Sequence, residues 1–200
     1  EQHTALMPYV TSVRDKFVPA LVGEGVYDPN IRESLDLPGD VDAKIWVRDR
    51  VLGMLGELVP RLRVAPFRLD GIEVKLRTYQ DGHFFRAHMD SPNDRLSSSK
   101  RMVSFVYFFH KQPKPFSGGD LLLFDSDVEP NRYTISNLTR VVPEDNCIVI
   151  FPSAYWHCVV PLRCPSGEFE DSRFVINGHI HRSVKIGKDK PGEANQAAAA

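Results

Sequence analysis

Two hundred residues suffice for one domain with a sizeable buried core. With 25 Lys and Arg against 26 Asp and Glu the formal net charge is −1, which points to neither nucleic acid nor an anionic membrane as a partner. No apolar run approaches the roughly 20 residues of a membrane span, and Cys147, Cys158 and Cys164 are too few and wrongly spaced for a disulfide framework or a zinc knuckle.

Reduced cysteines and no visible signal peptide make a cytoplasmic protein the expectation. The chain starts at Glu1 rather than Met, so a preceding piece is expected as well. Nothing in the sequence speaks to oligomeric state.

Between Pro8 and Pro19, Val10, Val13, Phe17 and Val18 predict a short amphipathic helix. The run G-E-G-V-Y-D-P-N from Gly23 reads as turn and loop. The strongest helix is predicted over 40–59. Asp40 or Asp42 starts it, Pro60 closes it, and Val41, Ile45, Leu52, Leu55, Leu58 and Val59 form its apolar face. From Phe67 the period changes to two: Ile72, Val74, Leu76 and Thr78 alternate with Glu73, Lys75, Arg77 and Tyr79. Asp81-Gly82 makes a turn. Further strands are predicted at 84–88, 101–110, 120–124, 147–151, 157–160 and 173–181, separated by polar loops.

Helices therefore come first and at least seven short strands follow, with no helical pattern between them. That favours an antiparallel sandwich or barrel over a parallel doubly wound sheet. The expected fold is mainly β: a jelly roll with N-terminal helices packed on one face. Residues 1–66 are expected to form a helical support region, 67–186 the β core, and 187–200 a low-complexity, disordered tail.

The candidate chemistry sits in Y-Q-D-G-H-F-F-R-A-H-M-D, which ends in His88-Met89-Asp90. On a strand, positions i and i+2 face the same side, so His88 and Asp90 can reach one point. A third donor is available at the end of F-P-S-A-Y-W-H, at His157. Two histidines and a carboxylate are the facial set that holds non-haem Fe(II) with open positions. Cys158, next to His157, points the other way on a strand and reads as core.

The chain resembles the prolyl-4-hydroxylase-like group of Fe(II)/2-oxoglutarate dioxygenases over roughly residues 70–182. The matching features occur in the family's order: Tyr79, Gly82, Phe84 and Phe85, then His88 and Asp90; Arg101 opening a strand; Gly118-Gly119 before L-L-L-F; Phe151-Pro152 before His157; and Arg173. The resemblance implies a double-stranded β-helix, with His88, Asp90 and His157 as iron ligands. It further implies that Arg173 and Tyr79 hold the distal carboxylate of 2-oxoglutarate. Fe(II), 2-oxoglutarate and O2, with ascorbate in support, are the implied cofactors. Retention of Asp90 favours hydroxylation over halogenation, whose enzymes lose this carboxylate.

The spacing from His157 to Arg173 is longer than the family's common one, which makes Arg163 the alternative cosubstrate arginine. Phe108 stands where some relatives carry a second tyrosine, and Tyr107 faces away. If Arg173 points into the barrel, strand parity sends Asn177 and His179 there too. They become candidate site-lining residues, whereas His181, of the same parity, falls at the strand end. The same rule puts Lys75 and Arg77 on the Tyr79 side, and with Arg101 they are candidate substrate contacts. The expected substrate is a prolyl residue in a protein or peptide, or a free amino acid or related small molecule, with release of succinate and CO2. Loops at 91–100 and after Leu162 are the candidate substrate loops. The competing classes are a non-catalytic β-sandwich binding module and a cupin-type metalloenzyme that needs no 2-oxoglutarate.

Overall fold

A computed structural model of the chain describes residues 1–23, 25–39, 41–91, 101–126 and 133–183. Most of the loop at 91–100, the tail at 187–200 and the capping position Asp40 lie outside these residues.

The chain opens with a helix, α1 (Leu6–Ser12), that carries Pro8 inside its first turns, where a missing N–H costs least. The expected helical stretch beyond it is a 3-10 turn (Arg14–Lys16) followed by strand β1 (Val18–Pro19). Two short strands follow, β2 (Arg32–Glu33) and β3 (Leu35–Leu37), which alternation over two or three residues is too short to reveal. Helix α2 (Asp42–Arg61) runs two residues past the expected end. Pro60 sits within its last turn, and the Leu62 N–H still reaches the Leu58 carbonyl at 2.9 Å. Its fully buried stripe is Lys44, Val47 and Val51; of the predicted face Val41 and Leu55 pack against the same core, whereas Ile45 is 40% exposed. Lys44 is buried because its Nζ donates to the carbonyls of Leu37 and Gly39.

Among the described residues ten strands follow: β4 (Leu69–Tyr79), β5 (Phe84–His88), β6 (Arg101–Phe109), β7 (Ser117–Gly118), β8 (Leu121–Ser126), β9 (Tyr133–Val141), β10 (Cys147–Pro152), β11 (His157–Val159), β12 (Leu162–Arg163) and β13 (Arg173–Arg182). All pairings are antiparallel. One sheet has the order β1-β3-β4-β13-β6-β10 and the other β2-β5-β11-β8-β9, with β12-β7 as a small ribbon. The two main sheets face each other as the walls of a double-stranded β-helix. Strand β9 carries almost wholly exposed side chains at the edge of its sheet, so it shows no buried face for alternation to report.

Parity in β6 divides the interior. Val103, Phe105, Tyr107 and Phe109 face a core shared with Val47 and Val51 of α2 and Leu6 and Val10 of α1. Phe108 faces the opposite way, into a second cluster inside the barrel with Tyr79, Phe116, Leu121 and Phe151. The helices thus seal the outside of the large sheet, and the inside is left for a cavity.

Gly178 shows how closely the central strands pack. It pairs with Phe105 across the β13–β6 ladder, and a Cβ there would lie 2.6 Å from the Phe105 ring and run into the Glu73 carbonyl. Gly178→Ala is therefore expected to destabilise the fold by about 1–3 kcal/mol through overpacking. Chemical denaturation checks this.

Candidate active site

Between the sheets lies a cavity of about 510 Å³. Its metal-competent group is built at the β5–β11 junction, where His157 is the register partner of His88. Antiparallel pairing thus brings together two residues far apart in sequence, with ring centroids 4.2 Å apart. Asp90 arrives differently from the expectation. Strand β5 ends at His88, so Asp90 does not share its side by strand parity. The loop carries it back, with the N–H groups of Asp90 and Ser91 both donating to the Ser153 carbonyl, at 3.1 and 3.0 Å. One ligand-type atom from each of His88, Asp90 and His157 then lies within 4.8 Å of the others.

Each histidine of the group is oriented by the carbonyl two residues before it. His88 Nδ1 meets the Arg86 carbonyl at 2.8 Å and His157 Nδ1 the Tyr155 carbonyl at 2.9 Å. A carbonyl only accepts, so both rings carry their proton on Nδ1 and turn the Nε2 lone pair inward. The Nε2 atoms of His88 and His157 stand 3.6 and 3.4 Å from the Asp90 carboxylate oxygens. Burial pushes the His157 imidazole down to about 4, with Asp90 opposing and His88 adding to the shift. Burial alone would raise the Asp90 carboxyl, but His157, His88 and His179 outweigh it and hold it below the usual carboxylate range.

Ser104 of β6 completes the carboxylate's surroundings. Its hydroxyl donates to Asp90 Oδ2 at 2.7 Å. With that proton committed, its oxygen accepts from Ser153 Oγ at 2.8 Å and from His179 Nδ1 at 3.2 Å. His179 and Asn177 both line the cavity. Burial pushes the His179 imidazole down, Asp90 opposes, and Arg101 reinforces. The Asn177 Oδ1 atom is buried with no hydrogen-bond partner among the described residues.

Arg173 closes the far end of the cavity. It is 1% exposed, with its guanidinium carbon 4.7 Å from the Tyr79 ring centroid and 4.9 Å from that of Phe108. Gly119 (φ +65°) makes room for it, since a Cβ there would fall 2.9 Å from Arg173 Cδ and 2.5 Å from Leu162 Cδ1. The Nε and Nη1 atoms are buried and have no hydrogen-bond partner among the described residues. Burial lowers the guanidinium pKa to about 10, with Arg77 contributing and Tyr79 and Asp120 opposing. Arg163, the alternative, is exposed on β12 and does not line the cavity. Tyr107 lies outside it, bonded to His3 Nδ1 at 2.7 Å and to Asn146 Oδ1 at 2.8 Å.

Two of the three candidate substrate cations stand at the rim. Arg101 donates to Glu73 Oε2 at 2.8 Å, and Lys75 Nζ lies 3.2 Å from Glu73 Oε1. Glu73 shares the parity of Lys75 and Arg77, so the rule that placed those two also placed it, although the sequence reading passed it over. Burial would raise its carboxyl, but Arg101, His179 and Lys75 hold it low. The third cation, Arg77, lines the cavity as well. It is 5% exposed and bound to Asp36 through Nε at 2.5 Å and Nη2 at 3.1 Å, so these two donors meet a carboxylate of the chain itself. Arg32 meets the same carboxylate at 3.4 Å and Ser34 Oγ at 2.9 Å. Ser104 and Ser153 meet Asp90 and each other, and Asp36 meets Arg77, between segments distant in sequence, so nothing local marks them; the Arg32 contacts to Ser34 and Asp36 are local, at two and four residues.

The donor set and the open guanidinium define the class of site, and the comparisons agree. The sequence profile of the 2OG-Fe(II) oxygenase superfamily matches residues 74–181. The chain belongs to this superfamily. It is 36% identical over 139 residues to an uncharacterized PKHD-type hydroxylase of Synechocystis sp.; the match takes in 69% of this chain and 45% of that protein, so the chain spans about half the length of this relative. A Pseudomonas putida prolyl-4-hydroxylase shares its fold with a TM-score of 0.60 at 24% identity, over 91% of this chain and 86% of that one. A Trichoplax adhaerens prolyl hydroxylase, in complex with a hypoxia-inducible factor peptide fragment, superposes with a TM-score of 0.64 at 18% identity, over 90% and 78%.

The Asp36 ion pair generates a pH prediction. Burial alone would raise this carboxyl, but its hydrogen bond and charge pairing with Arg77, aided by Arg32, lower it. The folded group therefore titrates below the unfolded value of about 3.9. Its stabilisation is fully present above that pH and is lost as pH falls through the folded value. Fully buried pairs lose about 3–5 kcal/mol when one partner is removed. The Asp36 side chain keeps 19% exposure, so Asp36→Asn is expected to cost nearer about 2 kcal/mol at pH 7. The gap between variant and wild type should narrow below pH ~4, as read by melting across pH.

Proposed function

We propose that this chain is an Fe(II)- and 2-oxoglutarate-dependent dioxygenase that hydroxylates a substrate C–H bond. The single observation that carries this reading is the buried guanidinium of Arg173, whose Nε and Nη1 have no partner among the described residues, in the same cavity as His88, Asp90 and His157. A binding module that merely kept a metal-like triplet has no need of such a charge. A cupin-type enzyme without 2-oxoglutarate has no anion to satisfy it.

The donor set fits the metal. Two neutral imidazole Nε2 atoms and one ionised carboxylate suit Fe(II) and leave positions open. His88, Asp90 and His157 would hold it. Arg173 offers a fork that matches a carboxylate in two places, and Tyr79 beside it donates a further hydrogen bond. When bound, iron and 2-oxoglutarate supply the oxidation: O2 is consumed, 2-oxoglutarate becomes succinate and CO2, and C–H becomes C–OH. Ascorbate is assigned as a supporting reductant. The chain's residues orient and exclude. Phe108 and Tyr79 keep water from the guanidinium. Ser104 and the Ser153 carbonyl fix Asp90. Asn177 directs its free acceptor at a water or the cosubstrate, and His179, Arg101 and Lys75 face the substrate's side.

The substrate proposed is a prolyl residue in a protein or peptide, supported by likeness to prolyl hydroxylases, one of them with a peptide bound. A free amino acid or related small molecule is the alternative. Incubating the protein with peptides and amino acids and reading a gain of one oxygen mass separates the two. Among the described residues no helix is long and apolar enough to cross a membrane.

Two outcomes test the reading. His88→Ala and Asp90→Ala are each expected to abolish succinate formation and the thermal stabilisation that Fe(II) confers on the wild type. Undiminished values in either variant would sink the assignment. Arg173→Met is expected to weaken 2-oxoglutarate binding by about 100-fold, the loss of a bidentate charged contact worth about 3 kcal/mol. Calorimetric titration under anaerobic conditions measures it.

A further inference from the structure

The cavity holds more arginine than one cosubstrate carboxylate requires. Arg32, Arg77 and Arg173 all line it, and none is more than 5% exposed. Each is a rigid fork able to take a carboxylate. Of the three, Arg173 is the one with buried N–H groups that lack a partner among the described residues. The difference lies in Asp36, which stands opposite Arg77 in the β3–β4 ladder. It accepts from Arg77 Nε at 2.5 Å and Nη2 at 3.1 Å, and its other contact is Arg32 Nη2 at 3.4 Å.

Placement makes this pairing consequential. Arg77 precedes Tyr79 by two positions on the same face of β4, about 7 Å along the strand. Tyr79 in turn is the register partner of Arg173. Glu73, at the rim, is on the same strand face beyond Arg77, so Arg77 lies nearer the mouth than Arg173 does. An uncommitted Arg77 would offer a dicarboxylate a second anchor, one strand repeat away from the first.

We propose that Asp36 is a positioning residue: by occupying Arg77 and drawing on Arg32, it leaves Arg173 as the one of these three buried guanidinium groups with donors open to a ligand, and so sets the depth at which 2-oxoglutarate sits relative to His88, Asp90 and His157. The proposal rests on the cosubstrate role of Arg173 given above. Asp36 does not line the cavity and acts through Arg77. A purely structural role is the competing account. Arg32 comes from one main sheet and Arg77 from the other, so Asp36 also links the two walls.

The two accounts differ in what removing Arg77 does. Full-length protein, loaded anaerobically with Fe(II), is titrated with 2-oxoglutarate by calorimetry. Succinate formed without primary substrate is followed in parallel. Asp36→Asn is expected to bind 2-oxoglutarate within about threefold of wild type yet form succinate at least about tenfold more slowly, because the ligand is held but misplaced. Asp36→Asn with Arg77→Gln is expected to return succinate formation to within about threefold of wild type. This double variant carries no unpaired charge from the pair, so it keeps the test open if Asp36→Asn alone does not fold. Adding Asp36→Asn to Arg173→Met is expected to recover about tenfold in 2-oxoglutarate affinity, as the freed Arg77 takes the carboxylate.

Wild-type succinate formation by Asp36→Asn overturns the proposal. So does a double variant below about one-tenth of wild-type turnover, which assigns Asp36 to wall-to-wall clamping. If Arg173→Met alone binds 2-oxoglutarate like wild type, the cosubstrate assignment of Arg173 has failed and this proposal falls with it. That result is distinct from failure of the Asp36 comparison alone.

Discussion

The burial of the Arg173 guanidinium is the constraint on which the site depends. Even after relaxation, removing a charge of this kind from water costs several kcal/mol. Two aromatic faces, Tyr79 and Phe108, return part of that. Cation–π contacts are worth about 2 kcal/mol each when desolvated. They leave Nε and Nη1 without an acceptor among the described residues, and buried donors without acceptors are rare in folded proteins. The nearest acidic influence, Asp120, is itself committed to Arg140 at 2.6–2.7 Å. The cavity therefore asks for an anion at its closed end, and the second core cluster, with Gly119, is what holds the arginine there to ask for it.

At the mouth the same economy of charge works in reverse. Glu73 gathers Arg101 and Lys75, and His181 lies 3.8 Å away, so the rim's cations are partly neutralised before any substrate arrives. Asp90 is surrounded by imidazoles and a serine rather than by fixed cations, which leaves its charge available to a metal. Arg101 touches only its backbone carbonyl, at 3.5 Å. Positive charge is held at both ends of the cavity, with the imidazole–carboxylate group between them.

The legibility of these features from sequence was uneven for physical reasons. Strand parity from Arg173 sends Asn177 and His179 to its wall, and both line the cavity, because β13 is regular from Arg173 to His181 in its pairing with β4. Parity misdescribed Asp90, because the strand stops at His88 and a backbone hydrogen bond from another loop sets the carboxylate. The same parity argument reached Glu73 unread, since an acidic residue among exposed-looking charges carries no mark of burial. Strands β1, β2, β3 and β9 escaped notice because two or three residues, or an edge with both faces wet, give no alternation of apolar and polar side chains.

By itself, then, the sequence determined the mainly antiparallel class and the order of the principal strands, and it singled out His88, Asp90 and His157 as candidates for one metal-competent group. These follow from side-chain periodicity and from residue types at fixed spacing, both of which are local. Only the tertiary structure decided that Arg173 and not Arg163 faces the cavity, that Arg77 is engaged by Asp36, and that Ser104 and Ser153 hold Asp90. Each of those outcomes depends on which strands become neighbours. Register between strands distant in sequence is set by the packing of the whole barrel.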